Sequence, residues 1–369
     1  MRILLLSANT GGGHNSAASA IQSELESKGA TCLLRDALAF VSEIHSDIVS
    51  NGHSYIYRYM PQLFGVGYRY EEKHPPRFIY DQMALGAKRF ADFLNDNPVD
   101  AIISTHIFGS MLVTEARAKH HIKTPHYLVI TDYTVYPGSD MVDVAKFFIP
   151  AEDLCETYKD NGIHQNRLVA SGIPIQPAFL NLTEKKAARK KLHLPTEGKI
   201  ILLFSGSIGC GRLDRIAPEL EKQLPQDATL VIICGHNTKL THKLRAVCGA
   251  QTVVVGFTSR VAEYMAAADL CISKPGGLSI TEMMVAQLPM VLMLSVPGCE
   301  TRNLDFFVAN HAAVGTDDWD EAIQLTGILL RNPDRMAQMK ENLGRIGYAG
   351  GASVIADTVI RDITVVDSE

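Results

Sequence analysis

The chain lacks any long apolar run. In its 369 residues no stretch approaches the roughly 20 consecutive apolar residues that cross a bilayer as a helix. The segment "MMVAQLPMVLMLSV" (283–296) comes nearest, and Gln287 and Pro289 interrupt it. Any membrane contact is therefore expected to be peripheral. The opening "MRILLLSA" has one basic residue and an apolar run that stops at Asn9. It is too short for a secretory h-region, so no signal peptide is expected. A cysteine framework is missing as well. The seven cysteines are Cys32, Cys155, Cys210, Cys234, Cys248, Cys271 and Cys299, with no C-x-x-C pair among them. An odd count at irregular spacing fits reduced thiols in a cytoplasmic compartment, not disulfides or a zinc site. Positive charge is not in excess either. The net charge of −5 gives no general nucleic-acid footprint, so no nucleic-acid partner is expected. No His/Asp/Cys cluster has metal-ligand spacing, and neither a metal nor another cofactor is expected.

What the chain does have is alternation. The apolar runs "RILLLSA", "TCLLRD", "DAIISTH", "HYLVITD" and "AKFFIP" read as buried strands, separated by helix-like segments such as "HNSAASAIQSELESKG" and "FGSMLVTEARAKHH". In the first of these, Ala17, Ala20, Ile21 and Leu25 share one face, and Gly29 suits the end of a helix. The rhythm pauses over 172–199, where two prolines precede a charged helix, "EKKAARKKL", with Thr183 as a plausible cap. It then resumes with "KIILLFSGS", "ATLVIICG", "QTVVVGF", "DLCISK" and "PMVLMLS". Strand–helix alternation of this kind predicts an α/β fold with parallel sheets. The expected organisation is a first α/β domain over 1–171, a linker and surface helix over 172–199, a second domain over 200–348 and a tail over 349–369. One stretch departs from the pattern. Residues 54–80 mix Tyr55, Tyr57, Tyr59, Phe64, Tyr68, Tyr70, Phe78 and Tyr80 with Arg58, Arg69, Lys73 and Arg77. Rings among arginines suit a membrane interface or an apolar substrate groove. An insertion packed on its own domain would read the same way.

Three glycine-rich loops follow predicted strands. In "SANTGGGHNSAASA", Gly11, Gly12 and Gly13 let backbone N–H groups approach a ligand, and the next helix presents its positive end. No lysine follows, so this is not a Walker A loop. The dinucleotide fingerprint is nearly met by Gly11 and Gly13 with Asp36 after the second strand, but Ser16 stands where the third glycine belongs. His14 is the feature that reading leaves over. At a helix N-terminus an imidazole is kept neutral, hence basic; a polar residue that merely starts the helix would read the same way. In the second half, "SKPGGLSITE" places Gly276 and Gly277 before a helix start and Glu282 about a turn further on. Glycine-loop N–H groups suit a diphosphate, and a carboxylate there can accept both hydroxyls of a ribose. "FSGSIGCG" offers Ser205, Gly206, Ser207 and Gly209 to the same diphosphate, and "PGCETRN" offers Glu300 and Asn303 to sugar hydroxyls.

Together these motifs resemble glycosyltransferase family 28, in its group of monogalactosyldiacylglycerol synthases and processive diacylglycerol glucosyltransferases. "SANTGGGHNSAASAI" is similar to that group's GGGH loop, "VITDYTVYP" to its TD segment and "SGIPIQPAF" to its GIPIxPxF segment. "LVIICGHNTKL" and "SKPGGLSITE" are similar to its CGxNxxL and KPGGxTxxE stretches. The resemblance implies a GT-B fold, two Rossmann-like domains facing across a cleft, with the tail packing back on the first domain. It implies an inverting hexosyltransferase that uses a UDP-sugar as donor substrate and a lipid hydroxyl, diacylglycerol above all, as acceptor. Carried over, Gly276, Gly277 and Ser279 cradle the diphosphate, Glu282 binds the ribose and Phe257 lies by the uracil. Glu300 and Asn303 contact the sugar, His14 sits at the reaction centre, and Asp132 orients His14 or is itself the base. Arg58, Arg69 and Arg77 would meet anionic lipid on the inner face of the cell membrane. Two positions depart from the pattern. Cys299 replaces the glutamine of PGQE, which leaves the sugar open among glucose, galactose and glucuronic acid, and His236 replaces a basic residue. The rivals are transfer to a non-lipid acceptor, a UDP-sugar 2-epimerase, a non-catalytic nucleotide-sugar-binding module and an NAD-dependent oxidoreductase.

Overall fold

A computed structural model describes the chain except residues 10, 11, 42–64, 69, 71–73, 75, 205–212, 295, 348, 349 and 367–369. The chain divides into two compact units. One joins Met1–Gln176 to Tyr348–Glu369, and the other is Pro177–Gly347. Residues 177–199, expected to link two domains, belong to the second unit.

The first unit is built on a parallel sheet of six strands in the order β2-β1-β3-β4-β5-β6. These are β1 Arg2–Ser7, β2 Thr31–Asp36, β3 Ala101–Ser104, β4 His126–Val129, β5 Lys146–Ile149 and β6 Leu168–Ala170. Their apolar runs are nearly continuous because helices cover both faces of a parallel sheet. Helix α1 (Gly12–Ser27) lays Ala17, Ala18, Ile21 and Leu25 on the sheet and ends before Gly29, whose φ of 86° suits a residue without a Cβ. Helix α2 spans Arg77–Ala84. Helix α3 (Ile107–His120) is capped by His106, whose Nδ1 accepts from the Phe108 N–H at 3.1 Å, and its last turn carries Arg117, Lys119 and His120 against the helix dipole. Strand order reverses between β1 and β3. The loops after these strands diverge there, and such a switch point is where open α/β sheets take ligands.

The second unit repeats the plan in the order β12-β11-β10-β7-β8-β9, again all parallel. The strands are β7 Lys199–Phe204, β8 Ala228–Ile233, β9 Thr252–Val255, β10 Leu270–Ser273, β11 Met290–Met293 and β12 Ala313–Thr316. Its switch point lies between β7 and β10, so the chain leaves these two neighbouring strands on the same edge of the sheet. Helix α4 (Lys185–Lys191) is capped by Glu184 rather than Thr183, its carboxylate accepting from the Ala187 N–H at 3.1 Å. Nor is α4 a purely surface element. Arg189 is buried and donates to the carbonyls of Ala267, Thr196 and Gly198 and to Asp269 at 2.7 Å. That satisfies a buried guanidinium with one full charge partner and three dipoles. Helices α5 (Gly277–Val285) and α6 (Cys299–Ala309) follow β10 and β11.

The chain then returns to the first unit as helix α7 (Gly351–Val366), which packs on α1. Ile355, Ala356 and Val359 are fully buried in one core cluster with Ile3, Leu5, Ile21, Tyr127 and Phe148. Each large apolar side chain so buried contributes about 1.5–3 kcal/mol. Lys28–Asp357 at 2.8 Å and Lys146–Asp362 at 2.6 Å tie the same helix to α1 and β5.

Candidate functional site

In the first unit the switch point gathers His14, Thr105, His106, Thr131, Asp132 and Tyr136 from α1, the loop after β3, the start of α3 and the loop after β4. His14 lies on the first turn of α1. Its Nδ1 is 2.9 Å from the Thr105 carbonyl and 2.9 Å from Thr131 Oγ1. A carbonyl only accepts, so Nδ1 carries the proton and Nε2 holds the lone pair of the neutral ring. Nε2 has no hydrogen-bond partner among the described residues. Burial holds the His14 pKa below its ordinary 6.5, although the Asp132 charge and the Thr105 hydrogen bond pull the other way. His106 meets this ring edge-on, with centroids 4.5 Å apart. The Tyr136 hydroxyl donates to Asp132 at 2.8 Å and lies 2.9 Å from Thr131 Oγ1. The entry to α1 is braced by a chain of amides. Asn15 donates to Asn9, and Asn9 donates to Asp36 at 2.9 Å. The other Asp36 oxygen accepts the Leu38 N–H at 3.0 Å. Asp36 is thus committed to the loop, which removes the ribose-binding acid that the dinucleotide reading needs. Gly12 and Gly13 sit at the start of α1, while Gly11 lies outside the described residues.

In the second unit α5 begins at the switch point with Gly276 as its cap residue. The N–H groups of its first turn, including that of Ser279, are the kind that receive a phosphate. Gly206, Ser207 and Gly209, assigned to the same ligand, lie outside the described residues. Glu282, on the following turn, has no hydrogen bond or ion pair among the described residues. It is partly exposed, yet enough protein surrounds its carboxyl that burial pushes it up to about 8. It is therefore mostly protonated at neutral pH. Glu300 and Asn303, read from sequence as sugar contacts, are both buried at the start of α6. Glu300 pairs with Lys274 at 2.5 Å, and Asn303 donates to the Pro275 carbonyl at 2.9 Å. Their geometry here is that of struts beneath the glycine loop. A Cβ on Gly276 would come within 3.4 Å of Lys274 Nζ, so the ammonium lies against the loop itself. At the ends of β8 and β9, Phe257 is 64% exposed and stacks on His236 with centroids 4.0 Å apart. That pair offers a flat apolar face at the same edge of the sheet.

The sequence reading missed Lys274, Thr105, His106, Thr131 and Tyr136. Lys274, Thr131 and Tyr136 stood inside quoted motifs, and for Lys274 an ammonium next to a glycine pair was the available signal. The two threonines and His106 carry no signal, because only the fold brings them to His14. In the aromatic stretch, Arg58 and Arg69 lie outside the described residues and Arg77 is exposed on α2. Phe78 is 77% exposed, and Tyr70 and Leu85 are exposed as well, whereas Tyr68 is buried and Tyr80 donates to Glu115 at 3.3 Å. Part of the stretch therefore packs on its own unit and part faces solvent. Among the described residues no helix is long and apolar enough to cross a membrane.

Two α/β units, each built on a parallel six-stranded sheet with its own switch point, define the GT-B fold. Residues 14–175 match the family described as Monogalactosyldiacylglycerol (MGDG) synthase, and residues 200–312 match the Glycosyltransferase family 28 C-terminal domain. Each unit of the chain thus matches a family model, MGDG synthase in the first and glycosyltransferase family 28 in the second. The chain is 28% identical over 370 residues to a protein of Bacillus subtilis (strain 168) named processive diacylglycerol beta-glucosyltransferase, covering 98% of this chain and 95% of that one. Among solved structures it is similar to the MurG of Acinetobacter baumannii, with a TM-score of 0.65 at 16% identity over 98% of this chain and 99% of that chain. It is also similar to the UDP-GlcNAc 2-epimerase of Neisseria meningitidis bound to UDP-GlcNAc, with a TM-score of 0.61 at 13% identity over 98% of this chain and 100% of that chain. At these identities the two structures speak for the fold.

Proposed function

We propose that the chain is an inverting hexosyltransferase that moves a hexose from a UDP-sugar to a lipid hydroxyl, with diacylglycerol as the acceptor and glycolipid as the product. The observation that carries this reading is His14. Its Nδ1–H is anchored at the switch point while Nε2 has no partner among the described residues, which is what a general base for a hydroxyl needs. In the reaction the acceptor oxygen attacks C1 of the hexose. Its proton passes to His14 Nε2, the bond from C1 to the diphosphate oxygen breaks, and UDP leaves with the electron pair. The negative charge on UDP is stabilised by the first-turn N–H groups of α5 and by Lys274. Glu282 receives the ribose, and Phe257 on His236 stacks with the uracil. Because protein donors supply this charge stabilisation, transfer needs no metal, and EDTA is expected to leave the rate unchanged.

The lipid acceptor lies in a bilayer, and the exposed Phe78, Tyr70 and Leu85 beside Arg77 suit peripheral docking on an anionic inner leaflet. Phe78→Ser with Arg77→Ala is expected to reduce co-sedimentation with anionic vesicles. Unchanged binding would remove this surface from the account.

The test of the activity is UDP release from UDP-glucose, UDP-galactose or UDP-glucuronic acid, each with and without diacylglycerol in mixed micelles, alongside His14→Ala. Release that needs both lipid and His14 is the expected result and identifies the sugar. Loss of donor without any acceptor would replace the transferase by hydrolase or epimerase chemistry.

A further inference from the structure

We propose that Thr131 and Tyr136 are positioning residues that join Asp132 to His14 through two hydroxyl groups, fixing the imidazole tautomer and supporting the imidazolium that forms during transfer. The inference rests on the reading of His14 as the general base.

The donors and acceptors assign themselves in order from either end. Asp132 as a carboxylate only accepts, so the bond of 2.8 Å to Tyr136 uses the tyrosine proton. Tyr136 Oη is then left as an acceptor. It takes the Thr131 N–H at 3.2 Å and the Thr131 hydroxyl proton at 2.9 Å. The Thr131 oxygen, having given its proton to Tyr136, accepts from His14 Nδ1 at 2.9 Å. From the other end, the Thr105 carbonyl at 2.9 Å demands a proton on the same Nδ1. Both ends require the Nδ1–H tautomer, and every hydroxyl proton along the path points toward Asp132. The path is also shielded from water. Thr131, Tyr136 and the neighbouring Tyr133 are all buried.

The consequence for catalysis is electrostatic. When Nε2 takes the acceptor proton, the new positive charge is shared with Nδ1–H, whose dipole chain ends on a carboxylate. No proton needs to travel along the path, and Asp132 stays ionised. The titratable groups that face His14 among the described residues are Asp132 and Tyr136 from the loop after β4 and His106 from the start of α3. The His106 Nδ1 accepts from Phe108, so His106 presents no lone pair there to compete for the His14 proton. Without the hydroxyl chain, Thr131 could turn its proton toward His14 and favour the tautomer whose Nε2 is blocked.

The experiment measures kcat and KM against pH for UDP-sugar and diacylglycerol in the full chain, with Tyr136→Phe, Thr131→Val and Thr131→Ser. It adds the imidazole ¹⁵N spectrum of the unliganded protein, in which His14 is assigned by its loss in His14→Ala. Tyr136→Phe and Thr131→Val are expected to lower kcat about 10–100-fold, the usual effect of losing a partner that orients a working histidine. KM for the UDP-sugar should stay the same, and the acidic limb of kcat should move to lower pH. Thr131→Ser, which keeps the hydroxyl, is expected to restore the rate and the limb. The wild-type spectrum is expected to show His14 protonated at Nδ1, and Tyr136→Phe to mix the tautomers. Unchanged kcat and acidic limb in both deletions, or a wild-type His14 protonated at Nε2, overturns the proposal. Full activity in His14→Ala would instead defeat the base assignment, and the spectrum would still report whether the hydroxyls set the tautomer.

Discussion

At the scale of single residues the site depends on two groups held away from their ordinary protonation. As the proposed base, His14 would act only as the neutral ring, and burial holds its pKa below 6.5. The acidic limb of the kcat profile is therefore expected below pH 6.5, and a limb at pH 7 or above would contradict the burial described for the ring. Glu282 is displaced the other way, up to about 8 from 4.5. A raised acid pKa in the folded state destabilises the protein above the unfolded value, and the penalty grows until the folded value is reached. Between pH 7 and 8 Glu282→Gln is thus expected to raise stability by about 1–3 kcal/mol, with no gain below pH 4.5. The same change should weaken UDP binding, because ribose hydroxyls donate best to the ionised carboxylate. In the wild type, UDP affinity should rise from pH 6 to 8 and binding should release a proton. Calorimetry in buffers of different ionisation enthalpy reads that proton directly. Loss of stability in Glu282→Gln, or binding without proton release, would place the carboxylate elsewhere in the chemistry.

At the scale of elements, close approach decides the geometry of the first site. Gly109 on α3 lies over β1 and β3, and a Cβ there would meet Ser104 Oγ at 2.8 Å and Leu6 Cβ at 3.2 Å. Ser104 has little freedom to move, because its hydroxyl is 2.9 Å from Nε2 of the buried His126. Gly109→Ala is expected to cost about 1–3 kcal/mol and to displace His106 at the head of the helix, so activity should fall more steeply than stability alone predicts. Circular dichroism melts beside kcat measure the two effects. The strands of both sheet interiors were legible because each is a nearly unbroken apolar run. The strands β6 and β12 were not. Both are edge strands, and "LVA" and "AVGT" are short and carry no hydropathy pattern of their own. The glycine loops and His14 were legible because they follow strands directly. The partners of His14 were not, because Thr105, Thr131 and Tyr136 lie more than 90 residues from it in the chain and only parallel pairing of β1, β3 and β4 brings them together.

At the scale of the whole molecule, one unit is continuous in the chain and the other is not. Pro177–Gly347 holds its own sheet and core, with Leu203, Leu230, Ile272 and Val291 at its centre. Expressed alone, this segment is expected to fold and to bind UDP with nearly the affinity of the full chain. Residues 1–176 alone lack α7, whose Ile355, Ala356 and Val359 fill the core beside Ile3 and Ile21. That fragment is expected to be unstable until α7 is restored, either as an added peptide or by a short linker that returns residues 350–366 to it. Hydrogen exchange on the fragments measures both outcomes.

The return of the last helix also sets an order of events during synthesis. Residues 351–366 are synthesised after Pro177–Gly347, so the second unit has its full sequence available while the unit that holds His14 still lacks part of its core. A product stalled before residue 351 is expected to bind UDP through its second unit while its first unit stays unstable. The core around Ile3 and Ile21 is thus closed by the segment made after the whole of the other unit.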